Sequence, residues 1–282
     1  MAAPPAVTVV IAVYRRGDFL SLVLDGLQRQ THAGDAGFEV VVAEDDRSPV
    51  IAEVVTRFQP AFQERGVRLL HVAQEDQGFR KTRILNAALK ASANPFVVFL
   101  DGDCIPHPAL VSAYRRAAAP GRAFFGRRVM LGPALSERLL AGTAPSPPSL
   151  LALLGSDSTR KEEALRIPFF RKKSPHTGIW GCNWGIHRAH LEAVNGFDQD
   201  YQQAGVGEDV DIEWRLHGTG VVLESMKHRA VVYHLHHPQG YSDADVKANL
   251  AEVARKKAAG RIRCLNGMDS PQERGDDRSA VS

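Results

Sequence analysis

Short apolar runs alternate with segments of helical periodicity over about the first hundred residues, and this alternation restricts the fold more than any other feature of the sequence. The apolar runs occupy residues 7–13, 38–44, 67–72 and 96–100, and the helical segments between them occupy residues 18–30, 51–65 and 81–91. Strands that alternate with helices in this way form a parallel sheet. The sequence therefore predicts an α/β fold with a mostly parallel central sheet and helices on both faces.

The composition is that of an ordinary globular protein and excludes several other classes. The chain has 282 residues, 44% apolar and 24% charged, and its formal net charge of +3 is too small to indicate nucleic-acid binding. Cys104, Cys182 and Cys264 are too far apart for a disulfide framework or a zinc motif, which favours a reducing compartment. The run at residues 7–13 is too short to span a bilayer and lacks the flanks of a signal peptide. We expect a cytoplasmic protein, and its Arg and Lys clusters leave a peripheral membrane contact open.

Acidic side chains follow two neighbouring strands of the predicted sheet at the point where each strand ends. Asp101 and Asp103 come after the apolar run at residues 96–100, and three more acids, residues 44–46, end the second strand. The carboxyl ends of parallel strands meet at one edge of a sheet, where α/β proteins bind ligands. An Asp-Gly-Asp turn is also common without a metal, but so many crowded carboxylates need hydrogen bonds or a cation. Their oxygens suit Mg²⁺ or Mn²⁺, which would hold a diphosphate.

Basic residues open the helix predicted between these two strands. The segment at residues 74–92 contains Gly78, Arg80, Lys81 and Arg83. Backbone amides at a helix N-terminus, together with fixed cations, favour phosphate binding. The glycines match neither a Walker loop nor a dinucleotide-binding fingerprint, so ATP hydrolysis and hydride transfer are disfavoured.

Four segments in this order resemble the family 2 glycosyltransferases with the GT-A fold. They read VTVVIAVYRR, VVVAEDDRS, GFRKTRILNAALKAS and VVFLDGDCIPHP, within residues 7–131. The resemblance implies that Asp45 or Asp46 contacts the uracil of a UDP-sugar and that Arg83 approaches the nucleotide or its phosphates. It also implies that Val13 and Tyr14 line the same donor site.

The metal assignment rests on the same resemblance. The family's Asp-x-Asp pair corresponds to Asp101 and Asp103, which implies that Asp101 lies at the donor and that Asp103 is the direct ligand of Mn²⁺ or Mg²⁺. Two departures from the family pattern concern the nucleotide contacts: Arg47 replaces the usual glycine of the Asp-Asp-Gly-Ser turn, and TRILN replaces a more typical Ala-Arg-Asn run.

A second block, at residues 178–220, resembles the C-terminal half shared by chondroitin-polymerase-like enzymes and β-1,4-galactosyltransferases. The Gly-Glu-Asp motif of those enzymes bears the catalytic acid and corresponds here to Glu208 and Asp209. The resemblance implies that Asp209 removes the proton of an acceptor hydroxyl, and Glu208 is either a second candidate for the base or a ligand of acceptor hydroxyls. Acids at a helix start also stabilise the helix by about 0.3–1 kcal/mol, which does not exclude catalysis.

Two further groups complete the predicted site. Trp180, Asn183 and Trp184 belong to the second block, and the two indoles are candidates for stacking on acceptor sugars, although aromatic packing in the core is the alternative. In related enzymes a histidine after this block completes the metal shell, and the pair Tyr233 and His234 matches it. His236 and His237 are weaker candidates, and a separate zinc site that uses this histidine cluster is the alternative.

The remaining segments have weaker patterns. Residues 132–175 predict a mobile loop or a short helical insertion that ends in the basic, aromatic run FFRKK, and residues 242–259 predict an amphipathic helix. Residues 266–282 predict a disordered tail. We expect one domain over residues 1–265, with a nucleotide-binding part at about 7–131 and an acceptor or catalytic part at about 176–240.

The sequence thus predicts a metal-dependent, inverting glycosyltransferase that moves a sugar from a UDP-sugar to a hydroxyl of a glycan or lipid-linked acceptor. A sugar-nucleotide nucleotidyltransferase is an alternative, but the chain lacks the glycine-rich, lysine-bearing loop after its first strand that would hold a triphosphate. The other alternative is a non-catalytic module that binds a sugar nucleotide or a glycan.

Overall fold

Two sheets and the helices that cover them form the framework of the protein. The computed structural model describes residues 3–31, 37–170 and 178–270. The strands are β1 (Val7–Val13), β2 (Phe38–Glu44), β3 (Arg68–Ala73), β4 (Phe96–Asp101), β5 (Cys104–Pro106), β6 (Arg122–Phe125), β7 (Arg127–Met130), β8 (Asn183–His187), β9 (Val222–Ser225) and β10 (Val231–His234). The α-helices are α1 (Gly17–Gln28), α2 (Pro49–Glu64), α3 (Lys81–Ala91), α4 (Leu110–Ala117), α5 (Pro133–Leu140), α6 (Leu150–Leu154), α7 (Arg188–Ala193), α8 (Glu208–Gly218) and α9 (Asp243–Ala258), with a 3₁₀ helix at Lys161–Ala164.

The large sheet has seven strands in the order β3-β2-β1-β4-β8-β6-β9. Strands β3, β2, β1 and β4 are parallel, and β6 is parallel to β9, whereas β8 is antiparallel to both of its neighbours. The predicted mostly parallel sheet is therefore confirmed. A smaller sheet has the order β5-β10-β7 and lies next to the carboxyl end of β4 in the chain.

Helices cover both faces of the large sheet, as predicted. Side chains of α1, α2 and α4 pack in one apolar cluster, and those of α3, α7 and α8 pack in the other. The strands contribute alternate residues to the two clusters, for example Val9 to the first and Val10 to the second. This alternation is the two-residue period of a strand, which points successive side chains to opposite faces.

The strand register brings the acidic ends of the sheet together. Val13 at the end of β1 pairs with Glu44 at the end of β2, and Ala12 pairs with Asp101 at the end of β4. Strand β8 begins at the same edge, since its first residue, Asn183, pairs with Leu100. One edge of the sheet therefore carries both acidic turns and the segment that precedes β8.

The small sheet holds a histidine against the turn that follows β4. In the antiparallel pair of β10 with β5, His234 lies opposite Cys104, and the Leu235 amide donates a hydrogen bond of 2.9 Å to the main-chain oxygen of Asp103. The backbone thus fixes His234 beside Asp103 before any side chain is considered.

Two predictions for the outer segments meet different outcomes. Residues 132–170 form a helical insertion that contains α5, α6 and the 3₁₀ helix, while residues 171–175 lie outside the described residues. The predicted amphipathic helix is α9, which starts with a capping box formed by Ser242 and Asp245. None of the helices described is both long enough and apolar enough to span a lipid bilayer.

The predicted disordered tail begins too early. Residues 266–270 are packed on the protein: Met268 is buried against the apolar cluster of α3 and α8, and the Asn266 amide donates to Asp200 at 3.0 Å. The buried Met268 and hydrogen bonds to Gln199, Asp200 and Asn195 together anchor this mostly polar stretch. Residues 271–282 lie outside the described part of the chain.

Candidate active site

One carboxylate and two imidazoles converge after β4 in an arrangement that fits a divalent cation. Oδ2 of Asp103 lies 3.4 Å from Nε2 of His234 and 3.0 Å from Nε2 of His237. One ligand atom from each of the three residues lies within 4.8 Å of the others. Burial alone would raise the pKa of Asp103, but the hydrogen bonds from His234 and His237 lower it well below the ordinary value.

The donor set fits a metal, and it corrects the predicted ligands in one respect. Asp103 and His234 were expected, but His237, which the sequence ranked as a weaker candidate, also faces the carboxylate. His236 is not part of this group, and its main-chain amide donates a hydrogen bond of 2.9 Å to Ser136 Oγ. The three-residue spacing of His234 and His237 was the signal available in the sequence. Nδ1 of His234 is buried and has no partner among the described residues.

The other carboxylate of the turn, Asp101, is joined to a lysine at the start of α3. Lys81 Nζ donates a hydrogen bond of 2.9 Å to Asp101 Oδ1 and lies 3.6 Å from Glu208 Oε1. Burial would lower the pKa of Lys81, but the carboxylates of Asp101, Glu208 and Asp209 outweigh it and raise the pKa well above its usual value. Lys81 therefore stays charged and links the acid after β4 to the acids that open α8.

Glu208 is a buried acid with an unsatisfied oxygen. Its residue surface is 4% exposed, and Oε2 has no hydrogen-bond partner among the described residues. Burial and the neighbouring Asp209 raise the pKa of Glu208 to about 8, against the opposing effect of Lys81. Near neutral pH Glu208 therefore holds a proton.

Replacement of Glu208 by glutamine is expected to remove a pH-dependent part of the stability. The raised pKa means that the folded protein keeps this proton between pH values of about 4.5 and 8, whereas the unfolded chain loses it. The stability that Glu208 contributes is thus present at low pH and falls as pH rises through this window, by at most about 1.4 kcal/mol for each pH unit. The melting temperature of the wild type should fall by a few degrees relative to Glu208→Gln between pH 5 and 8, in chelator-containing buffer.

The control for this measurement is Glu53→Gln, which removes an exposed carboxyl from α2. The difference in melting temperature between Glu53→Gln and the wild type should not change over the same pH range. If the difference in melting temperature between the wild type and Glu208→Gln is also independent of pH, the raised pKa of Glu208 is contradicted.

Asp209 follows Glu208 on α8 and faces the segment that precedes β8. Its Oδ2 accepts a hydrogen bond of 2.8 Å from the Gly181 amide. A Cβ atom added to Gly181 would lie 3.0 Å from Asp209 Oδ1 and 3.1 Å from Lys81 Nζ, so the carboxylate and the ammonium face the same glycine. Burial raises the pKa of Asp209, against the lowering effects of Lys81 and the Gly181 amide. The residue keeps part of its surface exposed, so a substrate can reach it.

Of the two acids expected at the nucleobase, Asp45 is used within the protein. Its Oδ2 accepts a hydrogen bond of 2.8 Å from the Arg80 amide, and its Oδ1 accepts one from the side chain of Gln74. Asp45 therefore ties the end of β2 to the start of α3. Asp46 is more available, since its buried Oδ1 has no partner among the described residues, and burial together with Glu44 raises its pKa to about 6.

Val13 and Tyr14 stand at the same edge of the sheet. Val13 is buried, and its main-chain oxygen accepts a hydrogen bond of 3.1 Å from the Asp45 amide. Tyr14 is 47% exposed, and its hydroxyl lies 3.2 Å from Asp76 Oδ2. Arg15 bonds the same carboxylate at 2.5 Å and lies 4.7 Å from the Tyr14 ring centre. These contacts form an exposed rim beside Asp46.

Arg83 lies away from the acids that it was expected to accompany. It lines a separate cleft of about 330 Å³ on the outer side of α3, with Arg80, Asn86 and Lys90 among its neighbours. Lys81 and Arg83 are two residues apart and so project from opposite sides of a helix. Lys81, not Arg83, therefore delivers the cation of this helix to the carboxylates. Asn86 bonds the main chain of Phe197 with both ends of its amide.

Two of the three residues expected at the acceptor belong to the core. Trp184 has no exposed surface, and its ring stacks on Phe99 at 4.6 Å. Asn183 is equally buried: it donates to the main-chain oxygens of Arg127 and Ala230 at 3.1 and 3.0 Å, and it accepts a hydrogen bond of 2.7 Å from the Tyr114 hydroxyl. The alternative of core packing is thus correct for Trp184, and Asn183 has no group left for a sugar.

Trp180 differs from its neighbours because it is only partly buried and is surrounded by arginines. The guanidinium carbon atoms of Arg127, Arg160 and Arg128 lie 4.4, 5.1 and 5.6 Å from the centre of its ring. No pattern in the sequence singles out Arg128, which lies on β7, next to the strand that carries His234. Burial would lower the pKa of Arg128, but nearby acidic groups that include Asp101 and Asp103 raise it.

Comparisons with known proteins identify the family of the chain. The model of the glycosyltransferase-like family 2 matches residues 4–256. The chain is 28% identical over 230 residues to a validoxylamine A glucosyltransferase of Streptomyces hygroscopicus subsp. limoneus, which covers 78% of this chain and 49% of that protein. It is 26% identical over 254 residues to a chondroitin synthase of Escherichia coli, with 84% of this chain and 36% of that protein covered. The chain thus spans about half, or less, of the length of these curated relatives.

Solved structures share the fold. A mannosyltransferase from Pyrobaculum calidifontis, in complex with GDP-Man and Mn²⁺, superimposes with a TM-score of 0.60 and 21% identity over 90% of this chain and 64% of that chain. TarS of S. aureus gives a TM-score of 0.56 at 15% identity over 89% of this chain and 39% of that chain.

Proposed function

Since the chain belongs to the glycosyltransferase-like family 2 and has the GT-A fold, we propose that it is a metal-dependent, inverting glycosyltransferase that uses a UDP-sugar and glycosylates a hydroxyl of a glycan or lipid-linked acceptor. The observation that carries the proposal is that one lysine, Lys81, contacts both Asp101 at the end of β4 and Glu208 at the start of α8. Asp101, beside the metal-fitting cluster of Asp103, contacts Lys81, and Lys81 also faces the acids of α8. A donor held at Asp103 would thus lie beside a candidate base.

Asp103, His234 and His237 are the residues that would hold the cation. Two imidazoles beside a carboxylate favour Mn²⁺ over Mg²⁺, since Mg²⁺ prefers oxygen ligands. When bound, the cation would supply Lewis-acid stabilisation of the charge on the departing nucleoside diphosphate.

Asp209 is the proposed base. A sugar hydroxyl is a weak nucleophile, so a carboxylate that accepts its proton as the new glycosidic bond forms lowers the barrier to direct displacement. The Gly181 amide orients the carboxylate, and Lys81 favours its ionised form. Glu208 carries its proton beside Asp209, so the two acids can have separate roles: Asp209 accepts a proton, and Glu208 can donate a hydrogen bond to an acceptor hydroxyl.

The donor-binding part would occupy about residues 7–131. Within it, Asp46 is the proposed contact to the nucleobase of the donor. One carboxylate oxygen of Asp46 has no partner among the described residues. It suits uracil, which offers one ring N–H, better than guanine, which offers a ring N–H and an amino group on the same edge. Asp45 supports this contact indirectly by fixing the β2–α3 connection. UDP is therefore the proposed nucleotide of the sugar donor.

A panel of nucleotides tests the donor assignment without any acceptor. UDP with Mn²⁺ should raise the melting temperature more than GDP, ADP or CDP, because a ligand that binds only the folded state stabilises it by about 2.7 kcal/mol at one hundred times its dissociation constant. UDP-sugars compared at equal concentration would then identify the sugar. Stronger stabilisation by GDP than by UDP would contradict the assignment of uracil to Asp46.

The expected peripheral membrane contact stays a prediction, as does the cytoplasmic location. The insertion at residues 132–170 exposes Leu151 (82%) and Phe169 (93%) close in sequence to basic residues, a combination found in segments that lie on anionic membranes. Co-sedimentation with vesicles that contain anionic lipid tests this, and equal recovery with and without vesicles would contradict it. The basic residues 171–173 lie outside the described chain.

A further inference from the structure

Three guanidinium groups converge on one partly exposed indole at the edge of the candidate active site. We call this group, Arg127, Arg128, Arg160 and Trp180, the arginine cluster. The guanidinium carbons lie between 4.4 and 5.6 Å from the ring centre. Cation–π attraction helps to hold these cations in place, but it does not supply the hydrogen-bond acceptors that guanidinium groups require.

Hydrogen-bonding capacity in the cluster is left over. Arg127 is 9% exposed, and its Nη1 donates to the main-chain oxygens of Gly126 and Gly178 at 3.0 and 3.2 Å. Its Nη2, however, is buried without a partner among the described residues, and so is Nε of Arg128. A buried guanidinium nitrogen without an acceptor costs free energy, which an ordered water or a ligand oxygen offsets.

The nearest carboxylates are already engaged by other groups. Glu163 pairs with Lys227 at 3.0 Å, and Glu213 accepts a hydrogen bond of 2.6 Å from the Ile179 amide. No salt bridge joins a carboxylate to any of the three cluster arginines within residues 3–31, 37–170 and 178–270. Among the described residues the cluster thus carries positive charge without a directly paired carboxylate, and an anion is a ligand that it suits.

The cluster borders the candidate base. Trp180 directly precedes Gly181, whose amide bonds Asp209. Arg128 lies on β7, whose last residue, Met130, pairs with His234 on β10. A molecule held by the cluster would thus lie beside the segment whose Gly181 amide orients Asp209.

We propose that the arginine cluster binds the acceptor and that the acceptor is an anionic saccharide, whose carboxylate or phosphate group accepts hydrogen bonds from Arg128 and Arg160 while a neighbouring hydroxyl faces Asp209. This inference rests on the proposed transferase function and specifies the class of its second substrate. Trp180 acts as a positioning residue that holds the guanidinium groups in place. These groups approach the ring on which an acceptor sugar was expected to stack.

Direct binding tests the proposal without turnover. Quenching of tryptophan fluorescence is measured with the full chain in chelator and without donor, using a glucuronate-containing tetrasaccharide, its carboxyl-reduced neutral form, and glucose 6-phosphate. We expect the charged tetrasaccharide or the phosphorylated sugar to bind about tenfold or more tightly than the neutral form, since hydrogen bonds to charged groups are the strong ones. Which of the two binds better identifies the anion as carboxylate or phosphate.

Variants assign the preference to the cluster. Arg160→Gln changes an exposed side chain and should preserve the fold, and Arg128→Gln is the second variant; each should reduce binding of the charged ligand to that of the neutral one. The control is Arg116→Gln, an exposed arginine at the end of α4, where the adjacent Arg115 bonds Pro5 before the start of β1. It should retain the full preference.

Two results would overturn the proposal. Equal binding of the charged and neutral tetrasaccharides by the wild type would remove the basis for an anionic acceptor. Weaker UDP binding in Arg128→Gln and Arg160→Gln, with saccharide binding unchanged, would assign the cluster to the donor. Failure of the transferase proposal is seen separately, as absence of sugar transfer from every donor of the nucleotide panel while anion binding persists.

Discussion

Replacing Asp209 by asparagine is expected to reduce glycosyl transfer by about 10²- to 10⁴-fold, while binding of the sugar nucleotide stays close to that of the wild type. Asparagine has the size of aspartate but cannot accept the proton of the acceptor hydroxyl. The amide oxygen can still accept the hydrogen bond from Gly181, so the start of α8 should keep its position. The measurement is release of the nucleoside diphosphate that depends on the acceptor, together with a nucleotide-binding isotherm.

The control separates catalysis from stabilisation of a helix start. Asp243→Asn removes an exposed acid from the first turn of α9, where only the helix dipole and local hydrogen bonds are affected. It should lower the melting temperature slightly and leave transfer unchanged. Acceptor-dependent release that survives in Asp209→Asn would refute the assignment of the base. Release of pyrophosphate instead of nucleoside diphosphate would indicate a nucleotidyltransferase, and a wild type without turnover would indicate a binding module.

Asp103→Asn is expected to abolish the stabilisation of the protein by Mn²⁺ and most of its activity. Asp103 Oδ2 is the one charged oxygen that both His234 and His237 face, and a neutral amide is a far weaker ligand of a divalent cation. For the wild type, an Mn²⁺ concentration one hundred times the dissociation constant should contribute about 2.7 kcal/mol to the free energy of unfolding. Thermal unfolding across an Mn²⁺ titration measures this independently of turnover.

A histidine pair provides the matched control for the metal. His237→Ala removes a ring of the cluster and should weaken the response to Mn²⁺ substantially. His236→Ala removes the adjacent ring, which lies outside the cluster, and should respond as the wild type does. Unchanged Mn²⁺ stabilisation in Asp103→Asn would show that the cation binds elsewhere. A response to Zn²⁺ that exceeds the response to Mn²⁺ would favour the zinc alternative for these histidines.

The sheet and its acidic edge could be predicted from the sequence because both depend on local patterns. Each parallel strand is a continuous apolar run with a clear end, and parallel register then requires the acids that follow β2 and β4 to meet. Lys81–Ala91 was predicted at its observed bounds. Pairings at long range were less accessible. The antiparallel insertion of β8 next to β4 depends on a strand that starts at residue 183, far along the chain.

Side-chain roles were harder to predict than side-chain neighbourhoods. Lys81 and Arg83 stand two positions apart on α3, and only the orientation of the helix decides which of them meets Asp101. Trp180 and Trp184 lie on either side of the start of β8, but their environments differ. Trp184 is buried in the core, whereas Trp180 is partly exposed and contacts guanidinium groups. His237 required knowledge of how the chain turns after β10. Residues 266–270 show that one buried apolar side chain and a few hydrogen bonds can order a segment whose composition resembles a disordered tail.

The ion pairs of Lys81 restrict how this enzyme type could be recombined with its relatives. The lysine belongs to the first half of the chain, whereas the buried acid it compensates, Glu208, belongs to the second. A chimera joined between β7 and β8 would place α8 against a foreign α3, and without a lysine at the matching turn its acids would face one another with no counter-charge. Such hybrids should therefore be less stable unless the parent that supplies α3 carries this lysine, so the second half of the chain is interchangeable among a restricted set of partners.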